Sequence, residues 1–284
     1  MNSARVLVGI STFNRADILP KAIASALAQS YPAIKVAVVD DASTDATPQV
    51  AREYPRVEWT RWDQNRGYAP ARNHLMLHSD ADYYVSLDDD AWFLRGDEIA
   101  LAVDVLNHDS SIAAVAFDIL SPDRPEAVPR SPMIPAAMFI GCGHVLRLDV
   151  VRRMKGYASF PGSYGGEEKD LCLRLLDSGY QVVKLPGVHV WHDKTQTARD
   201  LEAQHRSGVC NDLTLTLRRS PLALLPFAMA WKFVRHFQFA VKSGLVAPYW
   251  AGVRAFLGLL PSIWRSRQPV RWKTLWLSAR LNKG

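Results

Sequence analysis

Apolar residues in the first third of the chain fall into short continuous runs, separated by stretches with helical spacing. Val6-Leu7-Val8-Gly9-Ile10 is one such run, as a strand buried on both faces requires. The stripe Ile18, Ala22, Ile23, Ala26, Leu27 recurs on one helix face, and Asn14 with Asp17 three residues on predicts its capped start. Val36-Ala37-Val38-Val39 is a second run, ending in Asp40-Asp41. A short helix over 47–54 and another over 69–79 follow, then a strand Tyr83-Tyr84-Val85-Ser86-Leu87 ending in Asp88-Asp89-Asp90. Strands alternating with helices predict an α/β fold with a mostly parallel central sheet flanked by helices.

The middle of the chain is less regular. Residues 121–135 hold five prolines and predict a loop. A glycine-bearing strand is expected over 140–145, a mobile loop over 162–166, and a helix over 167–178 stopped by Gly179. Val182 to Pro186 reads as a late strand, followed by Val188-His189-Val190-Trp191-His192.

From residue 213 the pattern changes again. The apolar stretches 222–231 and 255–264 are broken by prolines and stay well short of the ~20 residues a spanning helix needs. Charge sharpens this. The net charge of +6 hides a division at Asp212, the last acid in the chain. Residues 213–284 carry twelve basic residues, from Arg218 to Lys283, and five of the nine tryptophans. The body before them is net negative. A basic, Trp-rich, acid-free set of short amphipathic helices suits an anionic membrane interface. The tryptophans could instead stack on bases. The long apolar stretches and the absence of a nucleic-acid motif in the body turn the expectation to membrane, and no nucleic-acid partner is expected. The three cysteines are widely spaced without metal-site or CxxC spacing, which fits reduced thiols and a cytoplasmic protein peripheral on the inner face of the cell membrane.

Ligands of open α/β sheets bind beyond the carboxyl ends of the strands. Two predicted strands end there in Asp40-Asp41 and Asp88-Asp89-Asp90. Carboxylates crowded at one sheet edge repel each other, and a divalent cation relieves that repulsion. Mg²⁺ and Mn²⁺ favour one or two carboxylates plus substrate phosphates. Solvated loop acids or helix caps are the plainer reading, and for Asp41 alone it stands on equal terms.

The segments Ser11-Thr12-Phe13-Asn14-Arg15, Val38-Val39-Asp40-Asp41-Ala42-Ser43-Thr44-Asp45, Arg66-Gly67 with Ala71-Arg72-Asn73, and Leu87-Asp88-Asp89-Asp90 occur in the order seen in family 2 glycosyltransferases. The chain resembles that family over roughly residues 4–195; each motif alone is weak and the combination is specific. The resemblance implies a Rossmann-like GT-A catalytic domain over 1–212, with a nucleotide-binding half (1–95) and an acceptor-binding half (96–212). Residues 213–284 would form a helical membrane-associating extension.

By the same resemblance, the nucleotide-sugar would meet Ser11, Thr12, Phe13 and Arg15, with Ser11 and Phe13 lining the base pocket. Asp41 would accept a hydrogen bond from the base, with Asp40 close by. Gly67 would let the backbone approach the nucleotide, and Arg72 or Arg66 would meet phosphate. Asp88 would lie near ribose and metal, Asp89 near ribose or donor sugar, and Asp90 would ligate the metal. His192 would complete the metal shell, an imidazole being more natural on Mn²⁺ than on Mg²⁺. One of Glu167 and Glu168 would be the general base, with Glu168 favoured and Asp170 structural or acceptor-orienting. The implied reaction is inverting transfer from a nucleotide-diphosphate sugar, UDP- or dTDP-linked by common expectation, to a glycan or lipid-linked acceptor.

Two other readings share the fold. A GT-A nucleotidyltransferase wants a glycine- and Arg/Lys-rich phosphate loop near the N-terminus, which residues 11–15 lack. A non-catalytic membrane-bound scaffold would have lost the aspartate triple or the acids at 167–170, and both are present.

Overall fold

The apolar runs of the first third become four parallel strands in a computed structural model that describes residues 3–194 and 200–282. These are β1 (Val6–Thr12), β2 (Ile34–Asp40), β3 (Glu58–Arg61) and β4 (Tyr83–Asp88). They alternate with α1 (Leu19–Leu27), α2 (Thr47–Glu53) and α3 (Tyr68–His78). Val8, Ile10, Val38 and Val85 lose all solvent contact, as their continuous hydrophobicity requires.

The sheet continues through β5 (Ala91–Phe93), β6 (Ile112–Leu120), β7 (Ile134–Pro135), β8 (Gly143–Arg147) and β9 (Gln181–His192), with α4 (Glu98–His108) and α5 (Leu148–Arg153) between them. Its order is β3-β2-β1-β4-β8-β6-β9-β5, with β7 also on β9. β6 and β9 are a further parallel pair, while β8, β5 and β7 run antiparallel to their neighbours.

Three local expectations shift. Asn14 does not cap α1: it sits at φ 54°, and its side-chain oxygen accepts from Thr44 N–H instead. The helix starts four residues after the expected first turn, behind Ile18, with Pro20 in its first positions. The strand expected over 140–145 starts only at Gly143, where a Cβ would run into Ile119. The late strand does not stop at Pro186. Gly187, at φ 76°, donates its N–H to Asp118, the β6–β9 register slips there, and β9 carries on to His192.

The chain divides into two compact units, residues 1–157 with 178–195, and residues 158–177 with 196–284. The first holds the sheet and α1 to α5. The second gathers α6 (Glu167–Asp177), α7 (Leu201–Arg219), α8 (Leu225–Lys242), α9 (Val246–Arg265) and α10 (Trp272–Leu281). Its core runs along α7 through Val209, Leu213 and Leu217 to Tyr249, Val253 and Phe256 of α9. Gly252 permits this approach, since a Cβ there would lie 2.6 Å from the Arg206 carbonyl.

The composition break at 212 falls inside α7, which runs unbroken across it. Charge changes there but helical periodicity does not, and α6 groups with the C-terminal helices. Lys283, counted among the tail cations, lies outside the described residues. Among the described residues, no helix is long and apolar enough to cross a membrane.

Candidate active site

Parallel register sets Thr12 beside Asp40 and Ser11 beside Asp88, so three strand ends deliver residues 11–13, 40–41 and 88–90 to one edge of the first unit. The loops that follow are braced to one another. Asp40 is buried, accepting from Arg61 (2.7 Å) and from Ser43 N–H (2.8 Å). Ser43 Oγ accepts from Asn14 N–H at 3.0 Å, and the Asp45 carboxylate accepts from Ala16 N–H at 2.9 Å. Asp40 therefore holds loops together. Phe13 stays exposed beyond β1.

Asp41 bridges to the loop before α3, one oxygen accepting from Arg66 N–H and the other from Gly67 N–H, both at 2.7 Å. Gly67 sits at φ 88°, ψ 163°, a region essentially reserved to glycine. A Cβ there would meet nothing within 4 Å, so conformation and not crowding demands the glycine. Gly67→Ala is expected to lower unfolding free energy by about 1–3 kcal/mol in urea titration. An unchanged midpoint would mean that this loop takes another conformation. The Arg66 guanidinium lies over Trp62, 4.8 Å from the ring centre.

Arg72 is buried, lies over the Tyr68 ring and pairs with Asp88. That anchoring fixes Asp88. Asp90 is buried between Arg15 Nη1 (2.9 Å) and His192 Nε2 (3.2 Å), and Arg15 lies 3.9 Å from Asp89. Strand pairing explains the histidine: β5 runs antiparallel to β9 with Ala91 opposite His192, and Asp193 N–H donates to the Asp90 carbonyl. His189 faces elsewhere and accepts from Val128 N–H. Trp191 lies across from Trp92 on the β5–β9 pair.

The electrostatics of the triple are uneven. Burial alone would raise Asp90, but the His192 ring and Arg15 outweigh it and hold the carboxyl at about 2. Burial pushes Asp89 up to about 7; Arg15 opposes this, while Asp90 and Asp88 add to it. Three carboxylates thus share two guanidiniums, and one of them resists ionising. A divalent cation suits that excess of negative charge.

Ligand atoms of Asp88, Cys142 and His192 also lie within 4.8 Å of one another. Burial and the nearby Asp88 push the Cys142 thiol well up, so it stays protonated and is a poor ligand for a hard cation. Of that group Asp88 and His192 remain, and Asp90 stands 3.2 Å from the His192 ring, which makes an oxygen-rich set with one imidazole that suits Mn²⁺ better than Mg²⁺.

The other predicted acids lie in the second unit. Gly165 and Gly166, at φ 79° and 107°, turn the chain into α6, and a Cβ on Gly166 would press on the Phe160 ring. The loop expected to be mobile is pinned by Asn211 of α7. Its amide donates to the carbonyls of Gly162, Tyr164 and Gly165 and accepts from Gly162 N–H, all within 2.7–3.0 Å. Glu167 is 3% exposed, whereas Glu168 is partly open to solvent. Asp170 is fully buried; one oxygen accepts from Arg219 Nε (2.6 Å), the other from Arg174 Nε (2.7 Å) and Arg219 Nη2. Of the two roles open to Asp170, this geometry is the structural one.

Sequence reasoning missed Asn211, Arg174, Arg219 and Cys142. Asn211 shares its α7 face with Ser207, Thr214 and Leu215, all buried, and a buried amide must find partners.

A sheet with acid-tipped strand ends, an acid–histidine pair at its edge and a partly parallel, partly antiparallel order is the frame of a GT-A glycosyltransferase. The chain belongs to glycosyl transferase family 2, whose family model matches residues 7–159, and it is a glycosyltransferase. Its relatives include EpsE of Bacillus subtilis (strain 168), named as a glycosyltransferase, 29% identical over 195 residues, 64% of this chain and 70% of EpsE. TuaG of the same organism, named for teichuronic acid biosynthesis, is 24% identical over 63% of this chain and 76% of its own. The succinoglycan biosynthesis protein ExoU of Rhizobium meliloti (strain 1021) is 41% identical over 95 residues, only 28% of its length.

Among solved structures, a Pyrobaculum calidifontis mannosyltransferase in complex with GDP-Man and Mn²⁺ superposes over 100% of this chain and 81% of its own (TM-score 0.63, 17% identity). S. aureus TarS in complex with UDP-GlcNAc covers 84% of this chain and 74% of its own (TM-score 0.64, 16% identity). At these identities the likeness is one of fold.

Proposed function

We propose that this chain transfers a sugar, with inversion, from a nucleotide-diphosphate donor to a hydroxyl of a glycan or lipid-linked glycan, assisted by Mn²⁺ or Mg²⁺. The observation that carries this is Asp90, ionised although buried, held between Arg15 and His192 at the end of β4. Asp88, Asp90 and His192 would hold the cation, which when bound neutralises charge on the leaving diphosphate. Phe13, exposed at the edge, would pack on the base, with Ser11 and Thr12 beside it. Asp41 still has lone pairs for a base N–H. Glu168 would take the proton that the acceptor hydroxyl loses as it attacks.

A UDP- or dTDP-sugar remains the expected donor, and relatives named for succinoglycan and teichuronic acid biosynthesis support a glycan acceptor. The test is a panel of nucleotide-sugars with either metal, reading nucleoside diphosphate release. Release should need metal, stop in EDTA, and fall to the metal-free level in Asp90→Ala with the circular dichroism unchanged. Undiminished turnover in EDTA removes the metal from the reading. Release of pyrophosphate instead points to nucleotidyl transfer.

The same reading places the protein on the anionic cytoplasmic face of a membrane through residues 213–284. Phe227 is 78% and Trp272 68% exposed, and Trp231, Trp264 and Trp276 each carry an arginine over the ring: Arg235, Arg267 and Arg280. Such pairs put an apolar ring and a cation at one depth, as an interface with anionic headgroups rewards. Deleting the tail is a poor test, because Arg219 is part of the second unit's buried ion network. Replacing Trp231, Trp264 and Trp276 together by Ser should weaken sedimentation with phosphatidylglycerol vesicles by about a hundredfold or more, at ~1 kcal/mol or more per buried ring. Equal binding by this variant removes the membrane from the proposal.

A further inference from the structure

Cys142 is the one cysteine of the first unit, and strand register carries it to the carboxylates. β8 runs antiparallel to β4 with Gly143 opposite Leu87, so the next residue out, Cys142, comes abreast of Asp88. Gly143 lets β9 approach from the other side: a Cβ on it would lie 3.4 Å from the Val190 side chain, two residues before His192. One ligand atom each of Asp88, Cys142 and His192 thus falls within 4.8 Å of the other two. Asp90 joins them, 3.2 Å from the His192 ring. Arg72 engages one oxygen of Asp88, and a carboxylate has lone pairs to spare for a metal as well. Cys142 also packs in the sheet's core, where an alanine or valine would serve that purpose; only sulfur adds a ligand.

The donors are mixed, and that sorts the cations. Mn²⁺ and Mg²⁺ seek oxygen and have little use for sulfur, whereas Zn²⁺ takes thiolate, imidazole and carboxylate together. Zn²⁺ holds sulfur at about 2.3 Å and nitrogen or oxygen at about 2.0–2.2 Å, in a tetrahedron. Ligand atoms around such an ion stand roughly 3.3–3.8 Å apart, so the three close on it with shifts of about an ångström. The thiol binds as thiolate, and its proton passes to solvent as the ion enters. Zn²⁺ already stands above Mn²⁺ for nitrogen and oxygen ligands, and sulfur widens that preference.

Coordination number decides the consequence. A six-coordinate Mn²⁺ or Mg²⁺ on two or three side chains keeps positions for a diphosphate. Four side chains around Zn²⁺ fill its tetrahedron, as in closed structural zinc sites. We infer that Asp88, Cys142 and His192, completed by Asp90, form a site for a thiophilic divalent cation of the Zn²⁺ class, which displaces the catalytic cation and leaves no position for the donor's diphosphate. The consequence, inhibition by a competing metal, rests on the transferase reading; the binding itself does not.

The test loads full-length, metal-free protein with Co²⁺, a coloured substitute for Zn²⁺, and reads its absorption. Thiolate ligation gives an intense charge-transfer band in the near ultraviolet. The band should appear in the wild type and disappear when Zn²⁺ is added. In Cys142→Ser it should be absent, and Zn²⁺ affinity should fall about tenfold or more, at least what loss of a supporting residue costs a metal site. Mn²⁺ affinity, read by electron paramagnetic resonance, should change less, so the preference for Zn²⁺ over Mn²⁺ drops. Loss of fold would lower both affinities together. Should circular dichroism show that serine disturbs the core, Cys142→Ala is read in the same way, and the wild-type band decides without either variant.

UDP should bind the Zn²⁺-loaded protein about tenfold or more weakly than the Mn²⁺-loaded protein, a difference of at least one metal–oxygen contact. Four results overturn the proposal: no charge-transfer band in the wild type, a band that survives Cys142→Ser, an unchanged preference for Zn²⁺ over Mn²⁺ in the variant, or equal UDP affinity with the two metals. Nucleotide-sugar turnover with Mn²⁺ is read separately. Its failure beside an intact band removes the transferase reading and leaves the Zn²⁺ site; turnover without the band does the reverse.

Discussion

Glu168→Gln is expected to lower kcat for sugar transfer by about 10²–10⁴-fold, the usual contribution of a positioned general base, while the affinity for the nucleotide-sugar should stay unchanged. The amide keeps the size and hydrogen-bonding reach of the carboxylate but takes up no proton at neutral pH. Exposure separates the two candidates: a group that must meet an incoming hydroxyl cannot be sealed off, and Glu167 is. Glu167→Gln should therefore retain most transfer. Stopped-flow or initial-rate assays at saturating donor and acceptor decide it. If Glu167→Gln is the inactive variant and Glu168→Gln is active, the base is one residue earlier.

Asp170→Ala is expected to cost about 3–5 kcal/mol of stability, the usual result of stranding buried charge. Arg219 and Arg174 both close on this carboxylate, and Arg219 also donates to the Gln268 carbonyl, so α6, α7 and the segment before α10 meet at one ion pair. Removing the acid leaves two guanidiniums facing each other without an anion. Urea denaturation of the two proteins measures the difference. Unchanged stability with lost transfer would instead assign Asp170 to orienting the acceptor.

How far these residues can be read from sequence depends on the range of the forces that place them. The four parallel strands and their helices were legible because burial on both faces leaves a continuous apolar run, a purely local mark. The aspartates at strand ends were legible for the same reason. Asp90's pairing with Arg15, from β1's loop, was not, and His192 was reached only through the family resemblance, because the three-residue strand that brings in the far end of β9 is too short to show a pattern. Pro186 read as a strand end because a bulge that absorbs it depends on Asp118, far away in sequence. The glycine-rich approach to α6 read as mobile, since nothing local reveals that Asn211 holds it. Charge composition changed at residue 212, but packing obeys side-chain periodicity, and α7 runs through the break.

The braces between residues 14–16 and 43–45 bear on how binding free energy is divided. Asn14, Ser43, Thr44 and Asp45 satisfy one another's backbone and side-chain groups across the two loops before any donor arrives. On the proposed reading, a donor that enters there would order little protein, so little of its contact energy would be spent on loop entropy. More remains to favour the departing diphosphate over the bound one, which is the part that speeds the reaction. Residues outside the braces, such as Phe13, are then free to diverge: a change of base or sugar preference need not reopen the scaffold that keeps the aspartates in place.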